Sequence, residues 1–280
     1  MREPGFSAVL IGFLVLALAF GIIERLLPAN RAQKILRPGF ATDLIYWFTT
    51  PFLTRTVTQI GVIIALIPLF TLLGRPLTKE SILAGYGIVS DWPLGMQAFA
   101  MIVIGDFVGY WMHRAFHAGR AWRVHAVHHS SEQLDWLAAV RVHPLNELGN
   151  RVAQTVVLLG IGFSPLAVAA YQPFLTLYAI FLHANVRADF GPLCYLIATP
   201  AFHRWHHTSQ AEGRDRNFAG LLPFWDWLFG TFYLPHGRRA ERFGVEGAPL
   251  PHGWWGQLLY PFRKCPAVDQ RLSGTIEEIS

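Results

Sequence analysis

The chain reads as an all-α integral membrane helical bundle of four or five spans, carrying a cytosolic histidine-rich helical cap. Three observations predict this: an apolar composition with few charges, apolar stretches of helical length, and three histidine clusters close to those stretches. Hydrophobic residues fill 52% of the 280 positions and charged residues 15%, against about 45–50% and about 25% in soluble domains. The net charge of +5 comes without a basic run interleaved with aromatics. That excludes a nucleic-acid partner and fits attraction to anionic lipid headgroups. Cys194 and Cys265 stand far apart and form no CxxC, so neither a disulfide framework nor a thiolate metal site is indicated. No linker or low-complexity tract interrupts the chain, which we divide into N-terminal transmembrane helices (1–90), a histidine-bearing segment (91–240) and a cytosolic C-terminal tail (241–280).

Taken in order, Phe6 to Ile23 is the first apolar stretch, at about the 18-residue minimum for a helical span. A cleaved signal peptide is the competing reading; the stretch exceeds a typical h-region and no A-x-A site follows it. A polar segment with Arg31, Lys34 and Arg37 comes next, then a second span over Val57–Leu73 and a third over Leu94–Met112, which runs into the first histidine cluster. The apolar run from Val152 to Leu182 is broken by Ser164–Pro165 and Pro173, a pattern that predicts a helical hairpin or a kinked pair. Placing 24–56, 113–151 and 183–280 on one side of the membrane leaves only Arg2, Arg75 and Lys79, of 23 basic residues, on the other. By the positive-inside rule that side is the cytoplasm, and all the histidine clusters meet there.

The clusters are HRAFH (His113, His117), HAVHH (His125, His128, His129) and HRWHH (His203, His206, His207). With 12 histidines in the chain, HxxHH is expected about 0.02 times by chance, and it occurs twice. Residues three and four apart share a helical face, so each cluster can direct its ring nitrogens at one place. His183, in HANVR at the end of the fourth or fifth span, returns to the same membrane face and is a candidate ninth ligand. Eight or nine imidazoles exceed the four ligands of a single zinc, so two metals are required. Imidazole suits zinc, copper, iron and nickel alike. Asp106 lies seven residues before His113 on the third span; an acid there is costly, and we expect it to hydrogen-bond a ligand imidazole, with a helix–helix hydrogen bond as the alternative. His143 is open between ligand and structural roles, and Asn185 is a weaker ligand candidate. His236 and His252 fall in a Gly/Pro-rich tail and read as solvated.

The order HRAFH, HAVHH, HANVR, HRWHH, with Asp106-Phe-Val-Gly-Tyr-Trp before it and Asn217-Phe-Ala-Gly through Trp225-Asp-Trp-Leu-Phe-Gly-Thr-Phe behind, resembles the fatty acid hydroxylase/sterol desaturase superfamily over roughly residues 95–235. The resemblance implies that 91–240 is a catalytic domain of a non-haem diiron oxygenase, with the nine histidines as iron ligands. Some members carry a further histidine four residues after the isolated one; here that position is Arg187, which keeps His143 and Asn185 in view. It also implies dioxygen as co-substrate and a lipid substrate entering from the bilayer. The product is an alcohol by hydroxylation, or an alkene by desaturation. Zinc is an expected substitute in a purified sample.

No glycine-rich nucleotide loop, haem motif or cysteine cluster is present, so electrons must come from a separate ferredoxin or cytochrome with its reductase. Arg204, Arg214, Arg216, Arg238 and Arg239 are candidates for docking such a carrier, or are simply solvated. Trp225, Trp227, Phe229, Phe232, Tyr233, Trp254 and Trp255 fit an interfacial tail, or close a substrate pocket. Against a metal transporter, the ligands gather at one face and form no polar path across the spans. A zinc hydrolase would act without oxygen or reductant.

Overall fold

The computed structural model describes residues 5–83, 86–187, 190–246 and 250–263; Cys265 lies outside them, as does everything beyond Arg263. Among the described residues the chain is helical, with only two isolated β-bridges, Pro28 to Val186 and Thr208 to Phe243. Helix α1 (Phe6–Leu26) buries only Val9 of its 21 residues and leaves Ile11, Leu14, Val15 and Leu18 bare. An all-round apolar helix of that length belongs in lipid. Helix α2 (Phe40–Leu72) follows, with 33 residues. Two short turns, α3 (Lys79–Leu83) and α4 (Gly87–Ser90), lead into α5 (Leu94–Phe116). Then come α6 (Trp122–His129), α7 (Pro144–Ile161) and α8 (Pro165–His183). The short helices α9 (Pro200–His206), α10 (Phe224–Leu228) and α11 (Trp254–Leu259) complete the series.

Among the described residues, four helices are long and apolar enough to cross a membrane: α1, α2, α5 and α8. The expected break at Ser164–Pro165 is present, with Gly162 (φ 101°) closing α7 and Pro165 opening α8. Pro173 sits inside α8 without ending it. Helix α7 is the arm of this hairpin that does not qualify as a span. It carries Asn146, Glu147, Asn150, Arg151 and Gln154, and it packs between α2 and α5. There Gln154 donates to the Gly105 carbonyl at 3.0 Å, and Arg151 binds Glu147 and, at 2.8 Å, Gln172 of α8.

The second span also differs from the expected Val57–Leu73. At 1.5 Å per residue α2 is about 50 Å long, against about 30 Å of hydrocarbon, so its first turns project beyond the bilayer into the cap. An ion-pair lattice anchors them there. Arg37 binds Asp135 at 2.5 Å and Asp43 at 2.7 Å, while Arg141 reaches the other Asp43 oxygen at 2.5 Å. All four side chains are buried. Such a lattice holds only if every charge is paired, because a buried charge left alone is costly. Gly39 (φ 81°) makes the turn into α2, and a side chain there would collide with the Arg141 guanidinium. On α1, Glu24 accepts from the Trp136 and Asn185 amides at 2.9 and 2.8 Å. The segment before residue 90 is thereby built into the histidine-bearing segment.

Candidate metal centre

The helix ends bring all nine clustered and isolated histidines together in two adjoining groups. One holds His113, His117, His125, His129 and His206; the other holds His128, His183, His203 and His207. Within each group the ring nitrogens lie within 4.8 Å of one another. The two HxxHH motifs serve the groups reciprocally. HAVHH sends its first and last histidines to the five-membered group and its middle one to the other; HRWHH does the reverse. Helical geometry explains the split. At 100° per residue, positions i and i+4 point about 40° apart, whereas i+3 swings about 60° to the opposite side. Each short helix therefore straddles the two groups, which touch where the His129 and His207 rings stack at 4.4 Å.

The outer ring nitrogens settle which way the inner ones face. His113 Nδ1 donates to the Phe218 carbonyl (2.7 Å), His128 Nδ1 to Arg141 (3.1 Å), His183 Nδ1 to Ala179 (2.7 Å) and His206 Nδ1 to Arg216 (2.8 Å). His117 Nδ1 meets an Asp215 carboxylate oxygen at 2.9 Å, and His125 Nδ1 meets Asn146 Oδ1 at 2.8 Å. A carbonyl or carboxylate only accepts, so the proton sits on Nδ1 and the Nε2 lone pair points inward. Those lone pairs then face one another: His113 and His125 Nε2 lie 3.0 Å apart, and His128 and His183 Nε2 3.1 Å apart. Two proton-free nitrogens at that range repel unless a cation lies between them. The donor set thus fits metal ions, one per group, with outer hydrogen bonds of the kind that orient metal-binding imidazoles.

Burial holds the imidazoles of His125, His128, His129, His203, His206 and His207 well below their usual 6.5, with neighbouring imidazoles adding to the effect. They are neutral at physiological pH, the state a metal requires. Phe218 and Trp122 pack against His117 with ring centres at 4.9 and 5.0 Å, and Phe116 stacks on His125 at 6.1 Å. Such an aromatic wall keeps water from the inner nitrogens.

The model of the fatty acid hydroxylase family matches residues 98–231. Over those residues the chain is similar to the fatty acid hydroxylase family. The matched segment contains every histidine of both groups. The chain is 32% identical over 176 residues to an ornithine lipid hydroxylase of Rhizobium tropici, covering 62% of this chain and 53% of that protein. It is 36% identical over 128 residues to the alkylglycerol monooxygenase of Homo sapiens, covering 45% of this chain and 28% of that protein. A very-long-chain aldehyde decarbonylase of Oryza sativa subsp. japonica is 31% identical over 190 residues, covering 59% of this chain and 29% of that protein. The chain thus spans about half, or less, of the length of these curated relatives. No solved structure matches it.

Around the two histidine groups, several residues sit differently from expectation. Asp106 touches no imidazole: its Oδ1 accepts from the Gly220 and Leu221 amides (3.1 and 2.8 Å) and its Oδ2 from Leu222 (2.8 Å). The reason is its height on α5, nearly two turns below His113, opposite the 220–222 loop. His143 lies outside both groups with both nitrogens committed to backbone. Nδ1 accepts from Leu145 as the N-cap of α7, and Nε2 donates to the Leu258 carbonyl at 3.1 Å. Asn185 pairs with Asn30, accepting its amide at 2.9 Å and donating to its carbonyl at 3.0 Å. Arg187 is exposed, and its amide bonds Leu27.

Of the arginines considered for docking, Arg204 is buried, over the Phe243 ring and against the Leu134 carbonyl, and burial lowers its guanidinium to about 10. Arg214 pairs with Glu246 and Arg238 with Glu212, Arg216 donates to the Gly230 carbonyl at 2.8 Å, and Arg239 is exposed. Trp227 and Trp255 are exposed, whereas Trp225 and Phe229 pack on Phe107 of α5. His236 and His252 are exposed and belong to neither group, with His236 bonded to Tyr195.

Sequence reasoning passed over the acceptors: Asn146, Asp215, and the carbonyls of Arg141, Arg216 and Phe218. Backbone acceptors leave no residue-type signal. Asn146 and Asp215 stood 21 and 98 residues from the rings they serve.

Proposed function

We propose that this protein is a membrane-bound non-haem diiron oxygenase that hydroxylates an unactivated C–H bond of a lipid, using dioxygen and electrons from a separate carrier. The carrying observation is the pair of adjoining imidazole groups, lone pairs inward, inside the segment similar to the fatty acid hydroxylase family. The nine histidines are the ligands, and bound iron supplies the activation of dioxygen and the oxidation of the C–H bond. The chain's own part is to hold the imidazoles neutral and oriented, to keep bulk water out with Phe116, Trp122 and Phe218, and to present the centre at the ends of spans through which a lipid approaches.

The names of the relatives, ornithine lipid hydroxylase and alkylglycerol monooxygenase, favour a polar-headed lipid over a sterol. The asymmetry of Lys and Arg favours a cytoplasmic position for the centre. There a soluble or membrane-attached ferredoxin or cytochrome delivers two electrons per turnover, and Arg239, which is exposed, is a candidate for its docking.

The test is lipid mass spectrometry of cells with and without the protein, and with a His128→Ala variant. A lipid gaining one oxygen only with the unaltered protein is the expected result. A product short of two hydrogens would assign desaturation. Metal flux into liposomes without any oxygen-dependent product would overturn the reading.

A further inference from the structure

The five-histidine group is gripped by one short stretch of chain, and the four-histidine group is not. From Asp215 to Phe218, three acceptors meet three imidazoles: the Asp215 carboxylate takes His117, the Arg216 carbonyl takes His206, and the Phe218 carbonyl takes His113. Asp215 and Asn217 adopt left-handed backbone, at φ 52° and 60°. Asp and Asn are the side-chain-bearing residues that tolerate that conformation best, and here the surroundings hold it. The surroundings are explicit. Buried Asn217 donates to the Phe202 and Tyr233 carbonyls at 2.9 and 2.8 Å and accepts the Tyr233 amide at 2.7 Å.

Beyond it, five successive amides end on two buried carboxylates. Asp226 accepts Phe218 and Ala219 at 2.7 and 2.8 Å, and Asp106 accepts Gly220, Leu221 and Leu222. Asp226 is itself held by the Thr231 hydroxyl at 2.7 Å. In the other group the contrast is plain: the buried Nδ1 atoms of His203 and His207 have no hydrogen-bond partner, while His128 and His183 use carbonyls from separate elements.

We infer that residues 215–222 form a strap that presets three of the five imidazoles of one metal position, with Asp215, Asp226 and Asp106 as positioning residues, so that the two positions hold their metals unequally. The inference rests on the two-metal reading above and adds a division of labour to it. Each outer acceptor fixes a ring's tautomer and direction; losing one typically weakens metal affinity about 10–100-fold. A fault in the strap should therefore act on one metal and spare the other.

The experiment loads purified full-length protein anaerobically with ferrous iron and follows the release of each iron to a chelator. The variants are Asp226→Asn and Asp215→Ala, with His128→Ala as the reference for the four-histidine position. The Asp215 side chain is 72% exposed, so its loss leaves folding intact even if Asp226→Asn proves unstable. Expected is one iron released about 10–100-fold faster and the other at the unaltered rate, and no tightly held iron once Asp215→Ala is combined with His128→Ala. Unchanged release of both irons, or equal acceleration of both, overturns the strap while leaving the two-metal centre standing. Fewer than two irons on the unaltered protein overturns the centre itself.

Discussion

Because each HxxHH motif divides its histidines between the two groups, neighbouring residues of one motif should fail differently when removed. His203 and His206 are three residues apart on α9, yet His203 belongs to the group of four and His206 to the group of five. Replacing His203 with Ala leaves three imidazoles, His128, His183 and His207; replacing His206 leaves four, His113, His117, His125 and His129. Four-ligand structural zinc sites bind with about 10–16 kcal/mol, so one ligand is worth about 3 kcal/mol, or about 100-fold in Kd. Three imidazoles plus water is the composition of an open catalytic site, whereas four complete a tetrahedral shell. His203→Ala should therefore weaken one metal about 100-fold, and His206→Ala should weaken the other by a smaller factor, because its group keeps a full set. The assay is metal content per chain after equilibration against graded chelator, with zinc as the probe so that no redox step intervenes. Equal losses for the two variants, or loss of both metals from either one, would refute the reciprocal assignment and with it the separation into two positions.

Three further outcomes follow from the same geometry. His143→Ala should leave both metals in place while lowering stability by about 1 kcal/mol for the lost helix cap; loss of a metal equivalent would return His143 to the ligand set. Asp43→Asn deprives Arg37 and Arg141 of their shared carboxylate and should cost about 3–5 kcal/mol, seen as a melting temperature in detergent lower by roughly 10 °C, with a shift of only a degree or two contradicting the lattice. Metal-free protein should lose stability as pH falls below 6.5, since the unfolded chain takes up protons there that the buried imidazoles of His125, His128, His129, His203, His206 and His207 refuse; a thermal melt at pH 5.5 matching or exceeding that at pH 7.5 would show those rings to be accessible.

What the chain declares on its own is whatever depends on near neighbours. Apolar runs long enough for a bilayer, the break at Ser164–Pro165, and histidines three and four apart are all local patterns, and a helix turns them into faces without further information. The identity of the nine histidines as one constellation was legible for that reason. Even the division of each HxxHH between two directions is implicit in the 100° step of the helix, although nothing local says which direction meets which partner.

The tertiary structure alone decided the rest. It joined His206 to His129 across 77 residues and His113 to Phe218 across 105. It lowered Asp106 from the imidazoles to the amides of 220–222, turned His143 into a helix cap, buried Arg204, and began α2 at Phe40 in place of Val57. In each case the residue type was compatible with several partners, and the choice fell to whichever donor or acceptor the packing of distant helices left within hydrogen-bond reach. Buried polar groups must be satisfied, but a sequence specifies only that requirement, whereas the fold supplies the partner.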